Sequence, residues 1–368
     1  MATLQEASRQ WVTRPADQRY LSLDELKNAV AQRRNESWTL ASDVRDLRVK
    51  IGEAGLAVEG YDRAFGSRRE LQPTNWAFGQ LAQYAQAPAS YLRRIDEELA
   101  AINIQWGLDH SPIRENSLVL AQSNGENRLR AMTSTSYGRI WDEDVVNAVI
   151  RVNHDDRWKV PFASYTASDP RRATTLYASD RDVFIFLVDS ENTIDVGGEK
   201  LGRGFFTWNS EVGSSVFGLT TFLYRYICDN RIVWGATDVQ ELRIRHTGGA
   251  PDRFAYEGAK YLRRYSEESA HNVVEAVTRA KAYELPEAEK PGKGWEKWLQ
   301  ERGFNNSQAK SAVTKAIAEE GQARSLWDII NGVTATARDI SHTDERVRLE
   351  TAAGNLMKYA ENRRPAWA

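Results

Sequence analysis

Apolar residues recur along this chain with two periods, and each change of period marks a new element. From Leu21 the run LSLDELKNAVAQRR has a helical spacing, and Ser22 with Glu25 forms a capping box that starts the helix. Trp38 to Glu59 alternates as strands do, with a glycine turn near Gly52 and Gly55. NWAFGQLAQYAQAPASYLRRIDEELAAINIQWGL then predicts two helices around Ala87-Pro88, because Pro88 ends one helix and suits the start of the next. That pair predicts a helical hairpin packed on a sheet; the rival reading is a helix-turn-helix reading DNA with Ser90, Tyr91, Arg93 and Arg94.

SLVLAQ, NRLRAMTS and GRIWDEDVVNAVIRV read as strand, strand and helix. ATTLYA and VFIFLV form a hairpin turning through Ser179-Asp180-Arg181-Asp182, and the apolar VFIFLV predicts a central strand covered on both faces. A second hairpin turns at Gly197-Gly198, and Ser214 to Tyr226 predicts one long strand with a packed face and a presented face. After Gly249 and Pro251 a long helix follows, in one or two parts, then the polar segment LPEAEKPGKG and a helical remainder. The predicted class is α+β: a central, mostly antiparallel sheet with a long helix packed on it and helical pieces at both ends. The predicted division is a flexible N-terminus over 1–20, a mixed lobe with the helical hairpin over 21–130, the sheet and long helix over 131–284, a linker over 285–294 and a helical lobe over 295–368.

Candidate chemistry concentrates between Leu201 and Gly249, where aromatics alternate with arginines. Trp208, Tyr224 and Tyr226 offer rings for stacking bases, and Arg203, Arg225, Arg231, Arg243, Arg245 and His246 offer cations for phosphates. Arg203 sits between Gly202 and Gly204, which predicts a loop or hairpin tip. Arg171 and Arg172 precede a strand and extend the same expected groove. The segment has no nucleophile elbow and no metal cluster, so it predicts a binding surface, with no cofactor, before it predicts a reaction. Two chemical rivals remain. Cys228 with His246 would make a thiol–imidazole pair. His154, Asp155, Asp156, Asp180, Asp182, Asp189, Glu191 and Asp195 supply carboxylates and a ring for a metal-dependent nuclease.

Bulk properties narrow this picture. The chain has 368 residues, more than one core usually holds. Its net charge of −2 gives no overall attraction to nucleic acid, so a nucleic-acid site must be a local patch. The single cysteine excludes an internal disulfide, and no secretory signal or membrane span is visible, which predicts a cytoplasmic protein with no membrane partner.

The turn Cys228-Asp229-Asn230-Arg231 and the strand end Arg245-His246-Thr247 resemble the bacterial phage/plasmid-like protein family, a domain of unknown function numbered nine-three-two. AQAPASYLRRI near Gln86, MTSTSYGRIWDEDVV from Met132 and SLWDIINGVTATARD from Ser325 carry the same resemblance, which spans about Trp38 to Asp339. It implies a place in mobile-DNA metabolism and transfers no catalytic residue. The hairpins, long strand and following helix are also similar to the β-β-β-α core of single-strand annealing recombinases. The expectation is therefore a single-stranded DNA-binding protein of a phage or plasmid that promotes annealing, assembled as a homo-oligomer. The alternatives are a factor that binds a host protein and the nuclease.

Overall fold

Helix α1 (Leu23–Asn35) begins where the capping box predicts. Glu25 N–H donates to Ser22 Oγ at 3.1 Å, and the Glu25 carboxylate reaches back to accept from Leu21 N–H at 2.7 Å. The computed structural model describes residues 14–62, 67–111, 116–123, 126–160, 174–225, 231–232, 242–267, 271–285, 292–338, 349 and 352–361. The chain is α+β, but its strands form two sheets where the sequence suggested one.

The first sheet holds β2 (Ser37–Asp43), β3 (Arg48–Gly52), β4 (Gly55–Asp62), β5 (Ser67–Pro73), β6 (Asn116–Ser123) and β7 (Asn127–Ser134), in the order β2-β6-β7-β5-β4-β3. The β3–β4 hairpin pairs Gly52 with Gly55, as the glycine spacing predicts. Only β5 and β7 run parallel, because the chain between β5 and β6 first makes α2 (Asn75–Tyr84), the single turn α3 (Ala89–Leu92) and α4 (Glu97–Asp109). Leu81, Ile104 and Leu108 of these helices pack on Val58, Leu71 and Val119 of the sheet. The sequence suggested two helices around Ala87-Pro88, but Pro88 opens only the single turn α3, and the second long helix, α4, starts after Asp96. The proposed recognition helix is one turn long, and its Arg93 donates to Asn75 O at 2.9 Å.

The second sheet has the order β1-β9-β10-β11-β12-β13 and is antiparallel throughout. Its members are β1 (Arg19–Tyr20), β9 (Leu176–Ala178), β10 (Val183–Val196), β11 (Glu199–Asn209), β12 (Phe217–Arg225) and β13 (Arg231–Ile232). β8 (Trp158–Lys159) adds to β10, and β14 (Leu242–Ile244) adds to β12. Both predicted hairpins form. The apolar run Val183 to Val188 is central and buried on both faces. Alternation assigns the faces. Val183, Ile185, Leu187, Phe205, Phe217 and Leu219 meet α1, helix α5 (Asp142–Val152) and the helix that follows β14. That helix comprises α6 (Ala250–Arg253), a π-turn (Phe254–Gly258) and α7 (Ala259–Glu267).

The register of the β10–β11 hairpin shifts between Asp189 and Ile194. Beyond the shift, Ile194, Val196 and Leu201 are buried in a different core. It is built from α8 (His271–Ala282), α9 (Lys293–Gln300), α10 (Asn306–Glu320), α11 (Leu326–Arg338) and α12 (Lys358–Glu361). The predicted long helix thus serves two cores. Its first part, α6–α7, covers the sheet, and its second part, α8, joins the C-terminal helices.

The other face of the second sheet carries a row of rings. Tyr177, Phe184, Phe206 and Trp208 follow one another with centroid separations of 6.1, 5.8 and 5.5 Å. The Trp208 indole lies on Gly218, where an added Cβ would fall 2.0 Å from the ring. Gly218→Ala is therefore predicted to destabilise the protein by about 1–3 kcal/mol, through overpacking. Urea unfolding checks this, and a midpoint equal to wild type would contradict the packing described.

Candidate functional site

The segment Asn209-Ser210-Glu211-Val212 leaves the end of β11 and is buried between the two sheets. Glu211 is 1% exposed, and its carboxylate accepts from the Arg130 guanidinium of β7 at 2.7 Å; Arg130 is 2% exposed. The other Glu211 oxygen accepts from Asp142 N–H at 2.9 Å, at the first residue of α5. A negative charge at a helix N-terminus satisfies an open backbone donor and meets the positive end of the helix dipole. The backbone carbonyls of the segment are bound as well. Trp76 Nε1 and Gln80 Nε2 both donate to Val212 O, at 3.0 and 2.9 Å. Tyr137 Oη donates to Ser210 O at 2.8 Å, and Arg139 donates to Glu211 O.

Two buried carboxyls meet here, and their environments separate them. Burial alone would push Glu211 up, but Arg130 and Arg33 outweigh it and hold its carboxyl below the ordinary value. Burial and then the charge of Glu211 push Asp142 well above the ordinary carboxylate range. Asn209 Nδ2 donates to Asp142 at 2.8 Å and to Ile140 O at 2.9 Å. The pair is a structural joint in which Arg130 favours the ionised form of Glu211 and burial disfavours that of Asp142, although Arg33 lies 4.0 Å from the Asp142 carboxylate.

The residues singled out in the sequence fall in several places. Trp208 is 3% exposed and belongs to the buried ring row, so it presents no face for a base. Arg203 is buried in the middle of β11 and not at a loop tip. Its guanidinium donates to Tyr265 O at 3.3 Å and lies 5.6 Å over the Tyr265 ring. Arg243 is half-buried on the face of Trp208, 6.0 Å above that ring. Arg245 is exposed. His246 stacks on Tyr137 at 5.0 Å with Nδ1 3.1 Å from Gly138 O, and burial lowers its pKa. Tyr224, Arg225 and Arg231 have described backbone only, with Tyr224 paired to Arg231 across β12 and β13. Arg171, Arg172 and Tyr226 lie outside the described residues, as does Cys228.

Four of the acids behind the nuclease reading have separate, ordinary partners. Asp182 pairs with Arg14 at 2.6 Å, Asp189 with Arg157 at 3.3 Å and Asp156 with Lys159. Asp195 accepts from Gly198 N–H in its turn at 3.0 Å. Among the described residues no three histidine, cysteine or acidic side chains converge as a metal site.

An exposed cationic surface lies elsewhere, along the helix that follows Arg245. Phe254, Gly258, Leu262 and Tyr265 face the core, while Arg253, Tyr256, Lys260, Arg263 and Arg264 face outward. Within the π-turn Ala259 N–H bonds to Phe254 O, an i to i+5 closure. Gly258 is required there, since a Cβ would fall 2.8 Å from the Phe254 ring. Phe254 meets Phe217 edge-on at 4.8 Å and locks the turn to the sheet. The outward side of the turn and the end of α5 enclose a groove of about 460 Å³. Arg151 and His154 stand on the α5 side, with Tyr256, Lys260 and Arg263 opposite. The apolar pattern of this helix speaks for packing only. The signal that could have shown more is the i, i+4, i+7 spacing of Tyr256, Lys260 and Arg263, which puts one ring and two cations on a single face.

The joint can be probed through either carboxyl. Glu211→Gln leaves Arg130 buried without a counter-charge and should cost about 3–5 kcal/mol in chemical unfolding; a loss below 1 kcal/mol would contradict the pairing. Asp142 has a raised folded-state pKa, so its contribution to stability is greatest at acid pH and declines as pH rises from the ordinary carboxylate value toward the raised one. Asp142→Asn should flatten that decline in a series of unfolding curves from pH 4 to 8, and an unchanged slope would contradict it.

No curated protein and no solved structure matches the chain. One family does match, over residues 144–357, and it carries the description "Domain of unknown function (DUF932)". The matched span runs from α5 through both hairpins and the groove into the C-terminal helices. With more than half of its length matched, the chain belongs to the DUF932 family.

Proposed function

We propose that this protein binds single-stranded DNA through the cationic side of its β-β-β-α unit and brings complementary strands together, as expected of a mobile-element annealing protein. The observation that carries the reading is a run of exposed cations at the strand end and along the following helix, which outnumber the exposed Asp252 beside them. Arg245, Lys260, Arg263 and Arg264 follow one another along the strand end and helix, and Arg151 of α5 lines one groove with Lys260 and Arg263. Among the described residues no carboxylate pairs with Arg151, Arg245 or Lys260. Glu257, an acid on the same helix, is held by Arg253 at 3.1 Å. A net charge of −2 makes such a patch a local field, one suited to a flexible strand that can follow it. The buried ring row takes no part in contact with bases. It stiffens the sheet on which the cationic helix lies.

A second reading, contact with a host protein, has one observation in its favour. A groove of about 490 Å³ between β3 and α4 is flanked by Ile102 and Trp106, each 65% exposed. Exposed apolar area of this kind marks protein contacts more often than DNA contacts.

Titration of labelled single-stranded and duplex DNA across a salt series decides between them. The proposal predicts preferential binding of single strands, with log Kd linear in log salt. The slope should fall by about 0.7 for each phosphate contact removed in Arg245→Gln and Arg264→Gln. Absence of single-strand binding near 150 mM salt would overturn it in favour of the protein-contact reading.

A further inference from the structure

We infer that the groove between α5 and the π-turn is a subsite for one unpaired nucleotide, with the base stacked on Tyr256 and the flanking phosphates held by Arg151, Lys260 and Arg263. This rests on the single-strand reading above and names the place where a base, and not only the backbone, is engaged. The Tyr256 side chain is the observation to explain. It is 71% exposed, the most exposed large apolar side chain on the described surface. It stands at the middle of a π-turn that Phe254 and Gly258 fix to the core, and Lys260 lies against one face of its ring. A ring presented on a rigid element loses little freedom when a planar group stacks on it.

The surroundings select the ligand. Lys260 Nζ lies over the Tyr256 ring, 5.4 Å from its centre, so it covers one face of the ring and leaves the other for a base. Arg151 and His154 stand across the groove. Among the described residues no acidic side chain lines it. A volume of about 460 Å³ lies within the range of small-ligand pockets. A duplex offers phosphates but hides its base faces in the stack. A polyphosphate offers charge without a ring. An unpaired nucleotide supplies both, in deoxyribose or ribose form. The two arms of the test separate those sources.

The test uses the full chain and fluorescein-labelled dT20 and rU20, with unlabelled inorganic polyphosphate as a competitor that has charge but no base. Wild type, Tyr256→Ala, Tyr256→Phe and the double variant Lys260→Gln/Arg263→Gln are compared at one salt concentration and then across a salt series. Tyr256 is exposed, so its alanine variant should unfold at the wild-type midpoint, which checks that the fold survives. The expected result is roughly tenfold weaker binding of dT20 by Tyr256→Ala, near wild-type binding by Tyr256→Phe and unchanged binding of polyphosphate by both. The double variant should weaken all ligands and lower the salt slope. Equal weakening of dT20 and rU20 assigns the subsite to unpaired nucleotides generally, and weakening of one alone assigns it to that sugar. If wild type binds dT20 and Tyr256→Ala binds both oligonucleotides as tightly, the subsite is overturned while the single-strand reading stands. If wild type does not bind dT20, the single-strand reading fails. The groove is then judged by saturation transfer to thymidine monophosphate, where a signal that disappears in Tyr256→Ala supports it and no signal in wild type overturns it.

Discussion

A buried charge has to be neutralised, and in this protein the charge of Glu211 is neutralised by a residue from another sheet. Arg130 comes from β7 of the first sheet, Glu211 follows β11 of the second, and the N–H of Asp142 belongs to α5, which packs on the second. One carboxylate therefore fixes three elements at once. The carbonyls on either side of it are held by Trp76, Gln80 and Tyr137, so the segment cannot shift without breaking several hydrogen bonds in a place water does not reach. Isolated polar groups are costly in such an environment, so the bonds that are made hold the segment in place, although Arg130 Nε and Asn209 Oδ1 have no hydrogen-bond partner among the described residues.

The joint bears on the proposed subsite through α5. Its N-terminus is held by Glu211, and its far end carries Arg151 and leads to His154, one wall of the groove. The opposite wall is the π-turn, held by Phe254 on Phe217 in the sheet that begins at the same joint. Both walls are thus tied to the same core, α5 by Glu211 and the π-turn by Phe217. A shallow site built from surface side chains keeps its shape only when its backbone elements cannot drift apart, and here the constraint lies well inside the molecule. The ring row has a related part. Tyr177, Phe184, Phe206 and Trp208 cross the strands as a continuous stack, with Arg14 6.0 Å from the Tyr177 ring at one end and Arg243 6.0 Å from Trp208 at the other.

Much of this architecture is legible in the residue pattern, and the illegible parts have identifiable causes. Val183 to Val188 is apolar at every position, which only a doubly covered strand tolerates, and Gly197-Gly198 adopts the positive φ values that its hairpin needs. Alternation separates Trp208 from Phe205, but it says nothing of which face is covered, so Trp208 reads as part of a platform when it is core. Arg203 misleads for a similar reason. Flanking glycines suggest a loop, yet here they are strand positions, and Gly204 accepts from the Tyr265 hydroxyl at 3.0 Å. Glu211 lies in NSEVGSS, a run that looks like any polar turn, and its partner Arg130 is distant in sequence, so no local pattern reveals the pair. Tyr256 escapes notice because the buried positions of its helix follow an ordinary helical spacing, which draws attention to packing and away from the outward side.

The central claim is that unpaired bases meet this protein at the π-turn and not at the sheet. Photocrosslinking of a single strand carrying 4-thiothymidine, followed by peptide mapping, locates the contact directly. The account predicts crosslinks within the helix bearing Tyr256, Lys260 and Arg263, together with the peptide containing Arg151 and His154. Crosslinks concentrated on β11 and β12, or none above the level of duplex DNA, would contradict it.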